Sequence, residues 1–283
     1  MRWEWERSRN GIQYLTIPEW SKWGIKVAFS SREGGVSRSP YHSLNLALHV
    51  NDSTKDVLHN REIFLAELGY RMDDIVVAEQ VHGIKVKAIT EMDKGRGMQD
   101  LLSAIPKCDS MITSEDVGLM CFFADCVPIY FYCPQIGLIG IAHAGWKGTA
   151  HKIVKEVLTR IKLAGGSAEG CYAAIGPCIG ACCYEVDEHV AIIFKENFNN
   201  VSTILTETAE GKYKLDLVKA NQEILISEGI LPENICCAEL CTACQADHFY
   251  SYRRDGITGR MAALIIKEKK FIYLAFLRSI MEE

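Results

Sequence analysis

Two apolar, strand-like runs separated by a short turn dominate the centre of the chain, in the segment Ala124–Thr149. The turn carries Pro134 and Gly137, so we expect the two runs to pair as an antiparallel hairpin. Cys126 stands at the start of the first run and His143 at the end of the second, seventeen positions later. The hairpin would bring both residues to the same end of the ladder. A thiolate beside an imidazole is either a nucleophile–base pair or part of a transition-metal site.

Composition and charge narrow the class of protein. The 283 residues are 48% hydrophobic and 24% charged, which is typical of a globular chain that buries a sizeable core. The formal net charge is −5 and the basic clusters are short, so a nucleic-acid partner is not expected. No apolar run reaches the roughly 18 residues of a membrane span, and the first residues lack the apolar segment of a secretory signal. We therefore expect a cytoplasmic protein with no membrane partner.

The chain contains 12 cysteines, which do not form the dense framework of a small disulfide-bonded domain. Cys241 and Cys244 form a CxxC motif, but a structural zinc ribbon needs a second such pair. The nearby Cys236 and Cys237 have the wrong spacing to supply it. We therefore expect packing or loop chemistry at Cys241 and Cys244 rather than a structural zinc ion.

Hydrophobic periodicity and turn signals predict an order of strands and helices. Residues 119–133 are predicted to form one long buried strand, and residues 93–107 an exposed loop. Strands are further predicted at 25–30, at 75–89 with a break in the middle, and at 108–113, 137–145, 171–175, 235–240, 261–267 and 271–277. Helices are predicted at 54–69, 147–163, 187–197 and 215–228.

The order of these elements predicts the fold class. Strands outnumber helices and do not alternate with them strictly, which favours mixed β-sheets flanked by helices, an α+β fold, over a doubly wound sheet. No linker, repeat or low-complexity tract divides the chain. We expect one domain over residues 1–283.

A third candidate ligand, His82, lies beside Gly83 where the 75–89 segment breaks. Two histidines and one cysteine with a fourth position open are typical of catalytic rather than structural zinc. Sequence spacing alone does not bring His82 to Cys126 and His143. An isolated, solvated or hydrogen-bonded imidazole is the alternative for each histidine.

The glycine-rich segment from His143 to Thr149 leads into a helix, and its amides together with Lys147 could attract an anion. Neither the P-loop pattern nor the dinucleotide-binding pattern is present, so a tight strand-to-helix turn is the alternative. Arg32 and Arg253 stand beside other glycine-bearing turns and could clamp an anion with two hydrogen bonds, although lone arginines often form surface ion pairs.

Seven segments occur in this order along the chain: SREGGVSRSPYHSLNLALHVND, EQVHGIKV, ADCVPIYF, IAHAGWKG, AIGPCIGACCYEV, LDL and FYSYRRDGITGR. Together they resemble the laccase-domain, YfiH-like family, whose members are also called YlmD-type purine nucleoside phosphorylases. The resemblance covers about residues 25–266, and the chain departs from the family at Lys147, where many members carry arginine, and at the Ala181–Cys183 turn.

The resemblance implies a metal, normally zinc, held by His82, Cys126 and His143. It also implies phosphorolysis of adenosine, inosine, guanosine and methylthioadenosine, and hydrolytic deamination of adenosine. Purine nucleosides and phosphate are therefore the expected partners. The preferred nucleoside and the oligomeric state stay open.

Further residues are assigned as hypotheses for this reaction. Gln80 and Asn45 are candidates for holding base or ribose, while Arg32, Lys147 and Arg253 are candidates for anchoring phosphate. Asp125 adjoins Cys126 but would point to the opposite face of a regular strand.

Two other activities use the same central residues. A copper-dependent phenol oxidase is one, because two histidines and a cysteine also bind copper. The chain has eight histidines and no His-x-His pair, which argues against a multicopper cluster. A cysteine hydrolase of cell-wall peptides is the other, with Cys126 as nucleophile and His143 as base. A non-catalytic, metal-dependent regulator is the remaining class.

Overall fold

The computed structural model describes residues 1–8 and 11–268. The strand predicted at 271–277 lies outside the described residues. The strands are β1 Glu4–Arg7, β2 Gln13–Thr16, β3 Ile25–Ser30, β4 Ile75–Val77, β5 Val86–Ala88, β6 Ser110–Thr113, β7 Gly118–Phe123, β8 Val127–Cys133, β9 Leu138–Ala144, β10 Tyr172–Ile175, β11 Glu185–Asp187, β12 Leu205–Ala209, β13 Lys212–Leu215, β14 Ile235–Cys237 and β15 Met261–Lys267. The α-helices are α1 Pro18–Ser21, α2 Thr54–Glu67, α3 Trp146–Ala150, α4 Ile153–Leu163, α5 Glu188–Asn197, α6 Leu217–Ser227 and α7 Tyr252–Asp255.

Two six-stranded sheets form the centre of the fold. The first has the order β1-β2-β3-β15-β7-β4 and the second the order β14-β10-β8-β9-β6-β5. Both are mixed, because β4 pairs with β7, β14 with β10 and β5 with β6 in parallel, while the other ladders are antiparallel. A three-stranded antiparallel sheet, β11-β13-β12, lies beside them. The predicted α+β class with mixed sheets is confirmed.

The sheets and helices stack in four layers, which follows from the alternation of side chains along each strand. Residues on one face of β7, such as Phe123, share a buried cluster with residues of β8 and β9, such as Tyr130 and Ile141. The opposite face of β7 packs against α2, and the opposite face of β8 against α4 and α6. The predicted flanking helices are confirmed as the two outer layers.

The prediction of one long strand over 119–133 is wrong. The segment divides into β7 and β8, which belong to different sheets, and the connection contains Asp125 at a φ of 91°. Continuous hydrophobicity did not reveal the break, because both strands are buried on both faces. The crossing places Cys126 at the entrance to the second sheet.

Other predictions of local structure are confirmed or corrected. The helix predicted at 147–163 is divided into α3 and α4 by Lys152, whose φ is 61°. The predicted exposed loop 93–107 is partly wrong, since Met98, Ala104 and Ile105 are buried. The helices predicted near 54–69, 187–197 and 215–228 are confirmed as α2, α5 and α6. The extension of one domain over residues 1–283 stays a prediction.

Helix length and hydropathy bear on membrane insertion. Among residues 1–8 and 11–268, no helix combines the length and apolar character needed to cross a bilayer. The cytoplasmic location stays a prediction.

Candidate metal centre and active-site cavity

The predicted hairpin is confirmed as the antiparallel pair β8 and β9. Its register sets Val127 opposite Ala144 and Pro128 opposite His143. Cys126 lies one residue before β8, at the same end of the ladder as His143. The two residues are therefore neighbours because of strand pairing.

His82 reaches this pair from the loop between β4 and β5. The imidazole rings of His82 and His143 lie with their centroids 4.8 Å apart, nearly at right angles. One ligand atom each from His82, Cys126 and His143 lies within 4.8 Å of the others. The structure thus brings together the three residues whose proximity sequence spacing did not establish.

The carboxylate of Asp109 fixes the relative positions of the two histidines. This fully buried side chain accepts hydrogen bonds from the backbone amides of Val81, His82 and Gly83, at 3.2, 2.9 and 2.7 Å. It also lies 2.9 Å from Nδ1 of His143. With an ionised Asp109 as acceptor, His143 carries its proton on Nδ1 and presents Nε2 as the free ligand atom.

Asp109 is held in its ionised form. Burial by itself would raise the pKa of this carboxyl, but the hydrogen bond and charge of His143, with the backbone amides, outweigh burial and lower its pKa. Sequence reasoning missed Asp109. It occupies the position before β6, and nothing in its sequence context shows that the 81–83 loop packs against it.

Cys126 and His143 influence each other's protonation when no metal is bound. Burial by itself would raise the pKa of the Cys126 thiol, but the charge of His143 and hydrogen bonds with both histidines lower it to about 6. Burial by itself would lower the pKa of His143, but Cys126 and Asp109 raise it to about 9. The pair therefore favours a thiolate and an imidazolium at neutral pH, and a thiolate is the form that binds a metal or attacks an electrophile.

Gly145 keeps the space around these donors open. A Cβ at this position would lie 3.1 Å from Sγ of Cys126 and 3.1 Å from Cδ2 of His82. A side chain at this position would therefore crowd both donor side chains. The close approach of the donors explains the glycine at this position independently of helix capping. Two imidazoles and a thiolate around this space fit a small thiophilic cation.

The three donors line a cavity of about 470 Å³, a size within the range of small-molecule sites. Its walls combine aromatic rings with cationic and neutral polar groups. The lining residues are His49, Gln80, His82, Phe122, Ala124, Asp125, Cys126, His143, Trp146, Ile179, Tyr184, Leu217, Tyr252, Arg253 and Arg260.

Two arginines give the cavity its positive charge. Nη1 of Arg253 donates to the carbonyl of Glu185 at 2.6 Å, and its guanidinium lies 4.8 Å from the centroid of the Tyr184 ring. Nη1 of Arg260 donates to the carbonyls of Thr258 and Gly259 at 2.8 and 2.9 Å. Neither guanidinium forms an ion pair with a carboxylate of the described residues. Both are thus oriented and available to an anion.

His49 is a further cavity residue that sequence reasoning missed, as it also missed Arg260. Loss of solvent around the ring lowers the pKa of His49, and the charges of Arg260 and Arg61 lower it further, to about 4. His49 is therefore a neutral imidazole at physiological pH. His49 lies within the first of the seven family segments, and that membership was the signal that could have identified it, although its position in the cavity depends on the long loop between β3 and α2.

The substrate-binding residues predicted from the sequence are placed differently from one another. Arg253 and Gln80 line the cavity. Both polar atoms of the Gln80 amide are hydrogen-bonded to the backbone of Phe122, at 2.9 and 2.8 Å, so Gln80 positions the strand that carries that ring. The role predicted for Gln80, holding the base or ribose of the substrate, stays a prediction.

Arg32, Asn45 and Lys147 are not among the residues that line the cavity. The guanidinium of Arg32 donates to the carbonyls of His42 and Ala246 and stacks on Tyr250. Asn45 is fully buried and accepts a hydrogen bond from the amide of Arg260 at 3.0 Å. Lys147 is exposed, with Nζ 5.5 Å from the centroid of the Trp146 ring. The structure does not bring these three side chains to the metal donors.

Asp125 is part of the cavity wall, because the strand on which the opposite orientation depended is interrupted there. Its carboxylate accepts hydrogen bonds from Oγ1 of Thr242 and from the amide of Arg253, both at 2.7 Å. These hydrogen bonds hold the segment between β7 and β8 against the loops that carry Thr242 and Arg253.

The chain matches known proteins over most of its length. The family model described as multi-copper polyphenol oxidoreductase laccase matches residues 26–268. A relative from Geobacillus stearothermophilus named purine nucleoside phosphorylase YlmD is 40% identical over 255 residues, 88% of this chain and 92% of the relative. A relative from an unknown prokaryotic organism named adenosine deaminase RL5 is 33% identical over 233 residues, 81% of this chain and 89% of the relative.

The fold is also found in solved structures. The crystal structure of the Bacillus licheniformis protein YfiH matches with a TM-score of 0.88 at 37% identity, over 90% of this chain and 96% of that chain. The chain therefore belongs to the multi-copper polyphenol oxidoreductase laccase family, which includes the YfiH and YlmD proteins. The resemblance seen in its sequence motifs is confirmed. Membership suggests a metal, and the cysteine and histidine donors described above offer a site for one.

The role of Asp109 is testable with Asp109→Asn. Either orientation of an asparagine amide would turn its NH₂ group towards two N–H donors, so we expect the free energy of unfolding to fall by about 2 kcal/mol. Metal affinity should fall by about 10- to 100-fold, because the orientation of His143 is lost. Chemical denaturation and competition with a chromophoric chelator measure the two effects.

The pH dependence of the free energy of unfolding gives a second test of the same variant. Because the pKa of Asp109 is lowered in the folded protein, its stabilising contribution is complete above an unfolded pKa of about 3.9 and is lost as the pH falls through the folded pKa. In metal-free protein, the difference in stability between wild type and Asp109→Asn should therefore narrow below about pH 4. A constant difference there would contradict an ionised Asp109.

The lowered pKa of Cys126 predicts the pH dependence of its alkylation in metal-free protein. The rate of its reaction with iodoacetamide should stay near its maximum from pH 8 to pH 7 and fall below about pH 6. Cys237, whose pKa burial raises to about 12, is the control and should react slowly throughout. Peptide mass spectrometry measures both rates. A Cys126 rate that rises tenfold per unit from pH 6 to pH 8 would contradict the lowered pKa.

Proposed function

We propose that this protein is a zinc-dependent purine nucleoside phosphorylase with adenosine deaminase activity. The observation that carries the proposal is an open set of three metal donors in the wall of a cavity that also holds aromatic rings and two arginines, neither of which has a carboxylate partner among the described residues. The names of the relatives support a role in purine nucleoside processing. Adenosine, inosine, guanosine and methylthioadenosine are the proposed substrates, with phosphate as the second reactant.

His82, Cys126 and His143 are the proposed zinc ligands. Two imidazoles and a thiolate that leave a fourth position open match catalytic zinc. When bound, zinc supplies Lewis-acid chemistry and lowers the pKa of a coordinated water. Asp109 would keep His143 in the tautomer whose Nε2 faces the metal.

The aromatic part of the cavity suits a purine base. Phe122, Trp146, Tyr184 and Tyr252 supply flat apolar surfaces. Gln80 holds the backbone of Phe122 through two hydrogen bonds, so that the strand that carries this ring is in place before substrate arrives. A fixed surface reduces the entropy lost on binding.

Arg253 and Arg260 are the proposed phosphate anchors. Each guanidinium is oriented by backbone carbonyls and has no carboxylate partner among the described residues. Arginine binds phosphate with two parallel hydrogen bonds, which suits positioning of the attacking oxygen. The exposed Lys147 and the backbone-bound Arg32 remain weaker candidates for this role.

His49 is the proposed hydrogen-bond partner of the leaving group. As a neutral imidazole it can donate a hydrogen bond from one ring nitrogen and accept one on the other. In phosphorolysis it would support the departing purine, and in deamination the departing ammonia. Asp125 is less suited to this role, since Thr242 and the amide of Arg253 already occupy its oxygens.

Two activities are alternatives. A copper-dependent phenol oxidase agrees with the family description, but the sequence has no His-x-His pair for a multicopper cluster. A Cys–His hydrolase agrees with the lowered pKa of Cys126 beside His143. In that reaction His82 would not be needed, which makes His82 the discriminating residue.

Phosphate dependence tests the phosphorylase. With zinc-loaded protein and inosine, hypoxanthine and ribose 1-phosphate should form in phosphate buffer, and release should fall at least tenfold without phosphate. Liquid chromatography measures both products. Equal hypoxanthine release with and without phosphate would assign hydrolysis instead, and no release would contradict the proposed reaction.

His82→Asn tests the metal requirement. Asparagine tolerates the left-handed backbone at this position, where φ is 59°, better than alanine does. We expect zinc affinity and nucleoside turnover to fall together by at least about 100-fold, because one of three ligands is lost. His59→Asn, at a half-exposed histidine of α2, is the matched control and should change neither. Nucleoside turnover that is retained after zinc is lost would contradict the metal requirement and leave Cys126 and His143 as the reacting pair.

A further inference from the structure

Four cysteines form a second cluster, separate from the cavity donors. Cys182 and Cys183 lie in the turn before β11, while Cys241 and Cys244 lie in the loop after β14. Their four sulfurs all lie within 4.8 Å of one another. Sγ of Cys244 lies 3.5 Å from that of Cys182 and 3.4 Å from that of Cys183. The second pair that the CxxC motif lacked in local sequence is thus supplied from about sixty positions away.

The backbone holds the two cysteine-bearing loops side by side. Cys178 and Cys241 form a parallel bridge, in which the amide of Cys178 donates to Leu240 and that of Thr242 donates to Cys178. The amide of Gly180 donates to Sγ of Cys241 at 3.2 Å. A sulfur that accepts an N–H bond is stabilised as a thiolate, the form that binds a metal.

We propose that Cys182, Cys183, Cys241 and Cys244 bind a structural zinc ion through four thiolates. Zinc–sulfur bonds of about 2.3 Å in a tetrahedron separate the sulfurs by about 3.8 Å, close to the spacing found here. Iron–sulfur clusters with more than one iron distribute four cysteines over several metal atoms. The compact arrangement of all four sulfurs instead suits one ion.

Simple packing does not account for these cysteines. Cys182 and Cys244 are exposed and Cys183 and Cys241 are half-buried, whereas cysteines that act as small hydrophobic residues are buried. No two of the four are joined by a disulfide. Four thiols that converge without burial are explained by a shared ligand.

A neighbouring arginine, Arg254, holds the turn that carries two of the cysteines. Its own charge is paired with the carboxylate of Asp255 at 2.7 Å, so it supports the turn through hydrogen bonds to the backbone. Nη1 of Arg254 donates to the carbonyls of Thr242 and Ala243, both at 3.0 Å, within the CxxC turn. This cation braces the turn directly between the two cysteines of the motif.

The cluster joins two loops that form one wall of the active-site cavity. Ile179 and Tyr184 flank Cys182 and Cys183 and line the cavity. Thr242, between Cys241 and Cys244, donates a hydrogen bond to the carboxylate of Asp125. The amide of Ile179 donates to the backbone carbonyl of the same Asp125. A zinc ion here would therefore secure the wall next to Cys126 without contacting substrate.

The zinc content of the purified full-length protein tests the proposal. Elemental analysis of zinc-saturated, gel-filtered protein should give two zinc ions per wild-type chain. Cys244→Ser and Cys182→Ser should each reduce this to one, as should His82→Asn, and the combination of Cys244→Ser with His82→Asn should leave none. Cys237→Ser, a half-buried cysteine outside the cluster, is the matched control and should keep two.

A measurement on wild type keeps the test valid if a cysteine variant fails to fold. Zinc-loaded protein should protect all four cysteines from alkylation at least tenfold relative to protein treated with a chelator. Cobalt substitution should give thiolate charge-transfer absorption that persists in His82→Asn.

Several results would overturn the four-cysteine zinc site. They are one zinc per wild-type chain that is lost in His82→Asn and kept in Cys244→Ser, equal alkylation with and without chelator, a disulfide in the untreated protein, and iron with acid-labile sulfide in place of zinc. Because zinc stoichiometry is measured without nucleoside, failure of the phosphorylase assay leaves this test unaffected.

Discussion

The buried carboxylate of Asp109 is the interaction on which the candidate site depends. It ties the loop that carries His82 to the strand that carries His143, through three backbone amides and one imidazole. Both halves of this arrangement come from the second sheet and its connections, and neither is a continuous motif. In a metalloprotease helix, two histidines are positioned for a metal by their spacing along one face. Here a single buried carboxylate that accepts from four donors positions the two histidines instead.

The fold and part of the site follow from local sequence. The hairpin of β8 and β9 is encoded by two apolar runs and a turn, so the proximity of Cys126 and His143 was predictable. Most helices were predictable from periodicity and turn signals. At the start of α2, Ser53 accepts a hydrogen bond from the amide of Asp56, a cap that the prediction did not use. Where one element's own residues determine its structure, sequence reasoning succeeded.

The remaining features depend on contacts between distant segments. The division of residues 119–133 into two strands is set by sheet packing and a left-handed Asp125, which hydrophobicity does not encode. Arg260 and His49 lie within family segments, but they reach the cavity from separate loops, so local pattern gave them no role there. The four-cysteine cluster was missed because its halves lie on separate loops that a parallel bridge joins. Metal-binding motifs are recognised in a sequence by the spacing of ligands on one local segment. In this chain the candidate ligands come from segments that are distant in sequence and meet only in the folded structure.

The passage of the chain from the first sheet to the second, at Asp125, has a mechanical consequence. Phe123 is anchored in one layer and Val127 in the other, so a sliding motion between the layers must distort the three residues between them. Cys126 is one of those three. The distance from its sulfur to the imidazoles therefore depends on how the two layers are stacked. A core substitution far from the cavity that shifts one layer against the other would change this distance.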